Sequence, residues 1–495
     1  MNVRRTTISI CAVASILVVG CGGGPGGGGG TLDRVLDVAL QGPAMPLVVG
    51  DVVTLEAVVT VEGSASTDVT WSSTDPTVAP VTSGGLVTAA SAGSTTIRAT
   101  SVDDASKFAS ATVQVSDVGG LSVRWTRQYG SVERESVAGV AVDGLGRAST
   151  IGSRWTPTTG GRGEEALVES FLSTHDSVGD FVGSMTWAPG AFTAVAYDVA
   201  DNLLLAGESY VWKYVGGSHT WTADFGESAT VTDVTTDANA NVIAVGWTTG
   251  ALAGPSAGSA DAFVRRIGPT GGVVWTRQFG TSEWDVATAV ATDASNNVYV
   301  AGVTHGSLVP AVDGDQGATF VRKFDAAGNT LWTRQFGWAA FAQDVVVDSS
   351  GNVYVVGSAY GEVASGQFVS TDEAGFVRAY DASGAPLWSR LIEDGASTAA
   401  WGAAIGSDGT VLVAGSTSGA LGTGPNAGEA DAFVRAYAPN GSASWTHQFG
   451  TSAADVARAV TVAPDGDVIV SGETFGSLAA SNSGRADVFV RRLTP

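Results

Sequence analysis

Few residues of this chain are arranged to do chemistry, and each arrangement has a simpler use. Gly254 to Gly258, GPSAG, matches the Gly-x-Ser-x-Gly pattern of an acyl-transfer nucleophile, which needs a strained turn between a strand and a helix to expose its hydroxyl. Here the flanks predict a loop between two strands, and GPNAG takes the same place at 424–428. Ser256 is therefore not expected to be a nucleophile. His175, His219, His305 and His447 have no motif partner, and neither a His-Glu-x-x-His pattern nor a phosphate-binding loop is present. The Asp-x-x-Gly-Asn segments 325–329 and 348–352 look like pieces of a calcium loop, yet one turn offers too few oxygens. They predict type I turns opened by Asp and closed by a left-handed Gly or Asn. No catalytic residue, metal ligand or cofactor is predicted. The better candidates bind: Trp284, Trp338, Phe341, Gln343, Trp401 and Arg458 interrupt a repetitive background, and flat rings with an adjacent guanidinium suit a stacked, hydrogen-bonded ligand such as a sugar.

A repeat must position those residues. Its clearest copy reads as four strands: a, ATAVAT; b, NVYVAG; c, TFVRKF; d, LWTRQF, all between 285 and 337. Trp275, Trp332, Trp388 and Trp445 mark strand d at spacings of 57, 56 and 57. Seven a–b hairpins follow one another, at 141–152, 196–207, 235–246, 291–302, 346–357, 404–415 and 461–472. Seven such units stack radially into an all-β propeller, which leaves only short protected edges. The wording resembles the bacterial β-propeller (SBBP) repeat family over nearly all of 121–495. RWTRQYG at 124–130 has no strand c before it, while DVFVRRL at 487–493 ends without a strand d. The two are expected to pair and close the ring. The recurrent Trp should pack blade on blade, and the recurrent Arg265, Arg322, Arg378, Arg435 and Arg491 should pair with acids such as Asp261, Asp431 and Asp487. Strand d also resembles the tryptophan-docking motif of quinoprotein propellers with a shorter Gly spacing, which implies no cofactor.

In such a meander the a–b and c–d turns share one face, and the d–a and b–c connections share the other. The long b–c loops crowd that second face, where binding usually resides. Five residues before the hairpin Asp, or its equivalent, strand a reads Ala138, Thr193, Thr232, Thr288, Gln343, Trp401 and Arg458; three before, it is Val in six copies and Ala in one. The varied position marks a ligand platform. Trp284, Trp338 and Phe341, in neighbouring d–a connections, are expected near the same channel mouth.

The N-terminus adds an anchor. MNVRRTTISICAVASILVVG, 1–20, has a short basic start and an apolar run too brief to span a membrane. It reads as a secretory signal. VVGC, ending at Cys21, resembles the bacterial lipobox, which implies an acylated Cys21 inserted in a lipid bilayer. Gly22 after that Cys points to the outer membrane, with the chain displayed on the envelope. Cys11 lies inside the signal, so the mature chain has no disulfide and no Cys-based metal site. GGGPGGGGG completes a flexible tether over 21–30.

From 31 to 118, period-two strands separated by turns predict a small sandwich. VGDVVTLEAVV, VTWSSTDPTVA, GLVTA and ATVQVS resemble the bacterial Ig-like group 2 family, which implies a spacer with Trp71 at its centre. The formal net charge of −23 argues against a nucleic-acid partner. The expectation is a surface lipoprotein whose propeller binds a protein or glycan on its loop face. Two other readings remain open: a scaffold for envelope or outer-membrane assembly, and a propeller enzyme acting on polysaccharide.

Overall fold

The computed structural model describes residues 33–41, 47–48, 52–88, 93–116, 122–157, 165–188, 190, 192–309, 317–364, 367–369, 373–393, 395–421 and 426–494. The signal segment, the tether and Cys21 lie outside the described residues. Every regular element among the described residues is a β-strand, and no helix there is long and apolar enough to cross a membrane.

In the first segment, Leu47–Val48, Phe108–Ser116, Gly93–Ser101 and Val69–Ser73 form a four-stranded sheet in that order; Arg34–Gln41 pairs with Glu56–Glu62, and Val52–Thr54 with Leu86–Thr88. Leu55, Val87, Ile97 and Val113 are buried between them. Half-buried Trp71 packs against this cluster and against a second one around Val35 and Val38. One large ring thus bridges two small cores.

Residues 122–494 hold seven four-stranded antiparallel sheets among the described residues. Each sheet is one blade, ordered a-b-c-d. Strands a are Arg134–Val142, Phe192–Tyr197, Ala229–Thr236, Asp285–Thr292, Ala340–Val347, Thr398–Ile405 and Asp455–Val462, in blades numbered 1 to 7. In blade 7 the outer strand is Ser122–Tyr129, which pairs antiparallel with Asp487–Thr494, Arg127 opposite Val490. Strands b and c are buried nearly throughout, for instance Val298–Thr304 and Ala318–Phe324, because neighbouring blades cover both faces.

The motif WTRQFG supplies the joints. Trp275 Nε1 donates to Ala326 O of the next blade's c–d turn at 3.1 Å, and Arg277 Nε donates to Gly328 O there at 2.7 Å. Trp332 with Arg334, and Trp388 with Arg390, repeat this latch on the turns of Gly384 and Gly441. The turn glycine is left-handed, and the Trp ring lies against it: a Cβ on Gly328, at φ 82°, would stand 2.9 Å from Trp275 Cδ2. No other residue fits both demands. The Gln pins the b–c loop of its own blade, as where Gln278 Oε1 accepts from Leu252 N at 2.8 Å and Nε2 donates to Gly250 O at 3.0 Å.

The strand-c arginines correct the expectation of acid pairing. Arg265, Arg322, Arg378 and Arg491 place their guanidiniums 4.4, 4.0, 4.6 and 3.9 Å from the rings of Phe225, Phe279, Phe336 and Phe449 on the preceding blade. Arg435 lies 5.6 Å from the ring of Tyr437. Arg265, Arg322 and Arg491 also donate Nε to the Thr of strand d at 2.8–2.9 Å. None forms an ion pair with Asp261, Asp431 or Asp487 among the described residues. A guanidinium is weakly hydrated and planar, so an aromatic face between blades suits it.

The hairpin aspartates behave as turn-formers. Asp293 Oδ1 accepts from Ser295 N and Asn297 N at 2.9 Å, and its Oδ2 from Asn297 Nδ2 and Tyr299 OH. Asp325 and Asp348 are likewise engaged by their own turns.

Candidate functional site

Strand a of every blade carries a β-bulge at one position. The ladder skips between Val137 and Gly139, Phe192 and Ala194, Val231 and Asp233, Ala287 and Ala289, Ala342 and Asp344, Ala400 and Gly402, and Ala457 and Ala459. The skipped residues are Ala138, Thr193, Thr232, Thr288, Gln343, Trp401 and Arg458. A bulge re-aims its side chain, and all seven line one central cavity of about 350 Å³.

The wall has two unlike arcs. On blades 2 to 4, Thr193, Thr232 and Thr288 donate their hydroxyls to Val231 O, Ala287 O and Ala342 O of the next blade at 2.9, 2.7 and 3.0 Å. That arc is a row of interblade clips. On blades 5 to 7 the position carries Gln343, Trp401 and Arg458. The Arg458 guanidinium lies 4.5 Å from the Trp401 ring and 3.5 Å from Glu473 Oε2. Trp401 Nε1 is buried without a hydrogen-bond partner.

Two further channel residues escaped the sequence reading. Asp233 and Asp344 directly follow the bulges of blades 3 and 5 and line the same cavity. Their signal was legible: four residues before the hairpin Asp the blades read Gly139, Ala194, Asp233, Ala289, Asp344, Gly402 and Ala459, so two acids interrupt a row of small residues. Asp233 accepts from Val234 N and Val290 N at 2.7 and 2.8 Å, and Asp344 from Val345 N and Ala403 N at the same distances. Enclosure in the channel pushes the Asp233 carboxyl up to about 6. Asp344 goes up to about 7, first through burial and then through the neighbouring charge of Asp233; the amides pull both the other way.

Trp284, Trp338 and Phe341 are not among the channel-lining residues. Trp284 and Trp338 lie in d–a connections, whereas Phe341 is the second residue of strand a of blade 5 and pairs with Ser358 of strand b. Trp284 is 48 % exposed and Trp338 50 % exposed. Trp284 stands 5.8 Å from the Trp247 ring, and Phe341 lies edge-on to Tyr360, itself 53 % exposed. The candidate site thus has an aromatic rim over blades 3 to 5 and a polar channel, with Gln343 two residues beyond Phe341 on one strand.

Residues 37–113 match the family model of the bacterial Ig-like domain (group 2), and residues 274–308 and 331–362 match that of the beta-propeller repeat. The chain carries both modules. Among solved structures, the Dos1 propeller is similar over 76 % of this chain and 95 % of its own, at 10 % identity and a TM-score of 0.46. Sqt1 from Chaetomium thermophilum is similar over 72 % of this chain and 84 % of its own, at 13 % identity and a TM-score of 0.42. A protein of unknown function from Bacteroides caccae covers 59 % of this chain and 94 % of its own, at 9 % identity and a TM-score of 0.38. No curated protein matches the chain in sequence. In general terms the two modules make a protein-interaction module.

Proposed function

We propose that this chain is a lipid-anchored binding module of the bacterial envelope, held by Cys21, whose loop face engages glycan. One observation carries the reading: Trp284, Trp338 and Tyr360 present half-exposed rings on the loop face of consecutive blades, a surface that gains by stacking on flat saccharide rings. The channel supports it with Gln343, Trp401 and Arg458, which depart from the structural Thr of blades 2 to 4. Asp233 and Asp344 give oxygens to backbone amides, an arrangement that favours a binding surface over a catalytic acid pair.

The test is glycan-array and envelope pull-down binding by the purified chain and by a Trp284→Ala/Trp338→Ala/Tyr360→Ala variant. Stacked rings contribute ~0.5–1.5 kcal/mol each, so the variant should lose at least about tenfold in affinity while melting as the parent does. Unchanged binding overturns the reading. Capture of a protein that the variant still captures would move the site off the rim.

A further inference from the structure

Three blade junctions bring together two buried carboxylates, the first residue of one blade's strand c and an early residue of the next blade's strand a. The pairs are Asp261 with Asp285, Asp431 with Asp455, and Asp487 with Glu135; all six residues are at most 1 % exposed. The backbone is clamped there, because Asp285 N, Asp455 N and Glu135 N donate to Ala260 O, Ala430 O and Ala486 O at 2.9, 2.8 and 3.0 Å. Each pair flanks the Gly that ends WTRQFG or its variant. Both carboxylates come within 3.1 Å of the point where a Cβ would stand on Gly280, Gly450 and Gly130.

Half of this site is satisfied and half is not. Asp261 Oδ2 accepts from Ala257 N and Gln278 Nε2 at 2.9 and 2.7 Å, and Asp285 Oδ2 from Thr281 N and Oγ1 at 2.6 and 2.9 Å. Asp431 and Asp455 repeat those bonds. Oδ1 of all four has no hydrogen-bond partner. Two adjacent buried carboxylates with orphan oxygens call for positive charge, and among the described residues no Arg or Lys forms an ion pair with any of the four. Arg322 and Arg491 feel Asp285 and Asp455 electrostatically but are spent on Phe279 and Phe449.

The third junction shows what the others lack. There the chain supplies a cation, Arg154 Nε standing 3.0 Å from Glu135 Oε1, although Glu135 Oε2 still makes no hydrogen bond. The junctions of blades 4 with 5 and 5 with 6 carry no acid at these positions: Ala318 stands with Ala340, and Ala374 with Thr398. We propose that Asp261 with Asp285, and Asp431 with Asp455, each hold one calcium ion that ties two blades together. The donors are oxygen alone, with no His or Cys, which suits a hard cation. Neutral oxygens and water complete the shell, as calcium sites with few carboxylates require.

The experiment uses the purified full chain stripped with EDTA and titrated with calcium by calorimetry, alongside thermal melting and terbium luminescence sensitised by Trp284, the neighbour of Asp285. About two ions should bind per chain, and calcium at a hundredfold excess over Kd should raise Tm by several degrees. Asp261→Asn/Asp285→Asn and Asp431→Asn/Asp455→Asn should each bind one ion, and the first should lose most terbium emission. No calcium uptake together with equal melting in EDTA and calcium overturns the proposal. So does a folded double-Asn variant that still binds two ions.

Discussion

Trp125 offers a direct test of how the ring is joined. Its side chain is 7 % exposed, packed with Val488 and Val490 of blade 7 and with Val137 and Phe171 of blade 1. Its Nε1 donates to Ser177 O, in the c–d turn of blade 1, at 3.1 Å. Truncating a buried Trp to Ala costs ~3–5 kcal/mol, and the lost hydrogen bond adds ~1 kcal/mol. For a domain of this size each kcal/mol shifts Tm by roughly 2 °C. Trp125→Ala should therefore lower the propeller transition by roughly 8–12 °C. The control is Trp275→Ala, because Trp275 is 8 % exposed and makes the same 3.1 Å bond to Ala326 O inside the ring. Calorimetric melting of both variants should give the same loss in one cooperative transition. If Ser122–Tyr129 were only a linker lying outside the ring, Trp125→Ala would stay within ~0.5 kcal/mol of the parent, as surface substitutions do. A silent Trp125→Ala beside a damaging Trp275→Ala refutes closure by the chain ends.

Two further outcomes follow from the channel and the anchor. Asp344 is pushed up to about 7 and Asp233 to about 6, so the folded chain binds these protons more tightly than the unfolded one. Their contribution is complete below about pH 4 and is lost as pH rises through about 7. Asp344→Asn mimics the protonated form at every pH. The stability of the parent relative to this variant, from urea titrations, should fall by on the order of 1–3 kcal/mol between pH 5 and 8, and a constant difference would contradict the assignment. Cys21→Ser should shift the chain from the membrane pellet to the soluble fraction and abolish labelling by a palmitate analogue; unchanged labelling would place the lipid elsewhere.

The all-β architecture and the blade repeat were legible because most blades restate the same local physics: a hairpin opened by Asp in five of them, buried b and c strands, and in blades 3 to 6 a Trp at a near-constant interval. The division of labour inside WTRQFG was not. Arg265 and its counterparts look like partners for Asp261 because opposite charges share a strand, yet the Phe of the preceding blade lies some 40 residues away and offers a dry aromatic face. Pairing by charge alone ignores what burial does to a guanidinium. The bulged position was legible as a column of varied residues, but not as a bulge, since nothing local to Thr288 or Gln343 demands an extra residue. The twist required at the channel does. Asp233 and Asp344 sat one column further on, hidden because the neighbouring columns drew attention to aromatic rings.

His447 shows that the ring's seam also explains a defect in the repeat. Strand d of blade 6 reads SWTHQFG, with His447 where blades 3 and 4 carry Arg277 and Arg334. Those arginines reach the c–d turn of the following blade. Blade 7 has no such turn, because its strand c ends at Thr494 and its strand d begins at Ser122. An Arg in blade 6 would hold its half-buried charge with no such carbonyl to receive it. Histidine avoids that cost by shedding its proton: burial, and then the charge of Arg491, bring His447 down to about 4, so the ring is neutral at physiological pH. Arg491 meanwhile donates to Thr126, on the strand that opens the propeller segment. The missing arginine and the split blade have one cause, and the place where the two ends of the propeller segment meet is written into the neighbouring repeat.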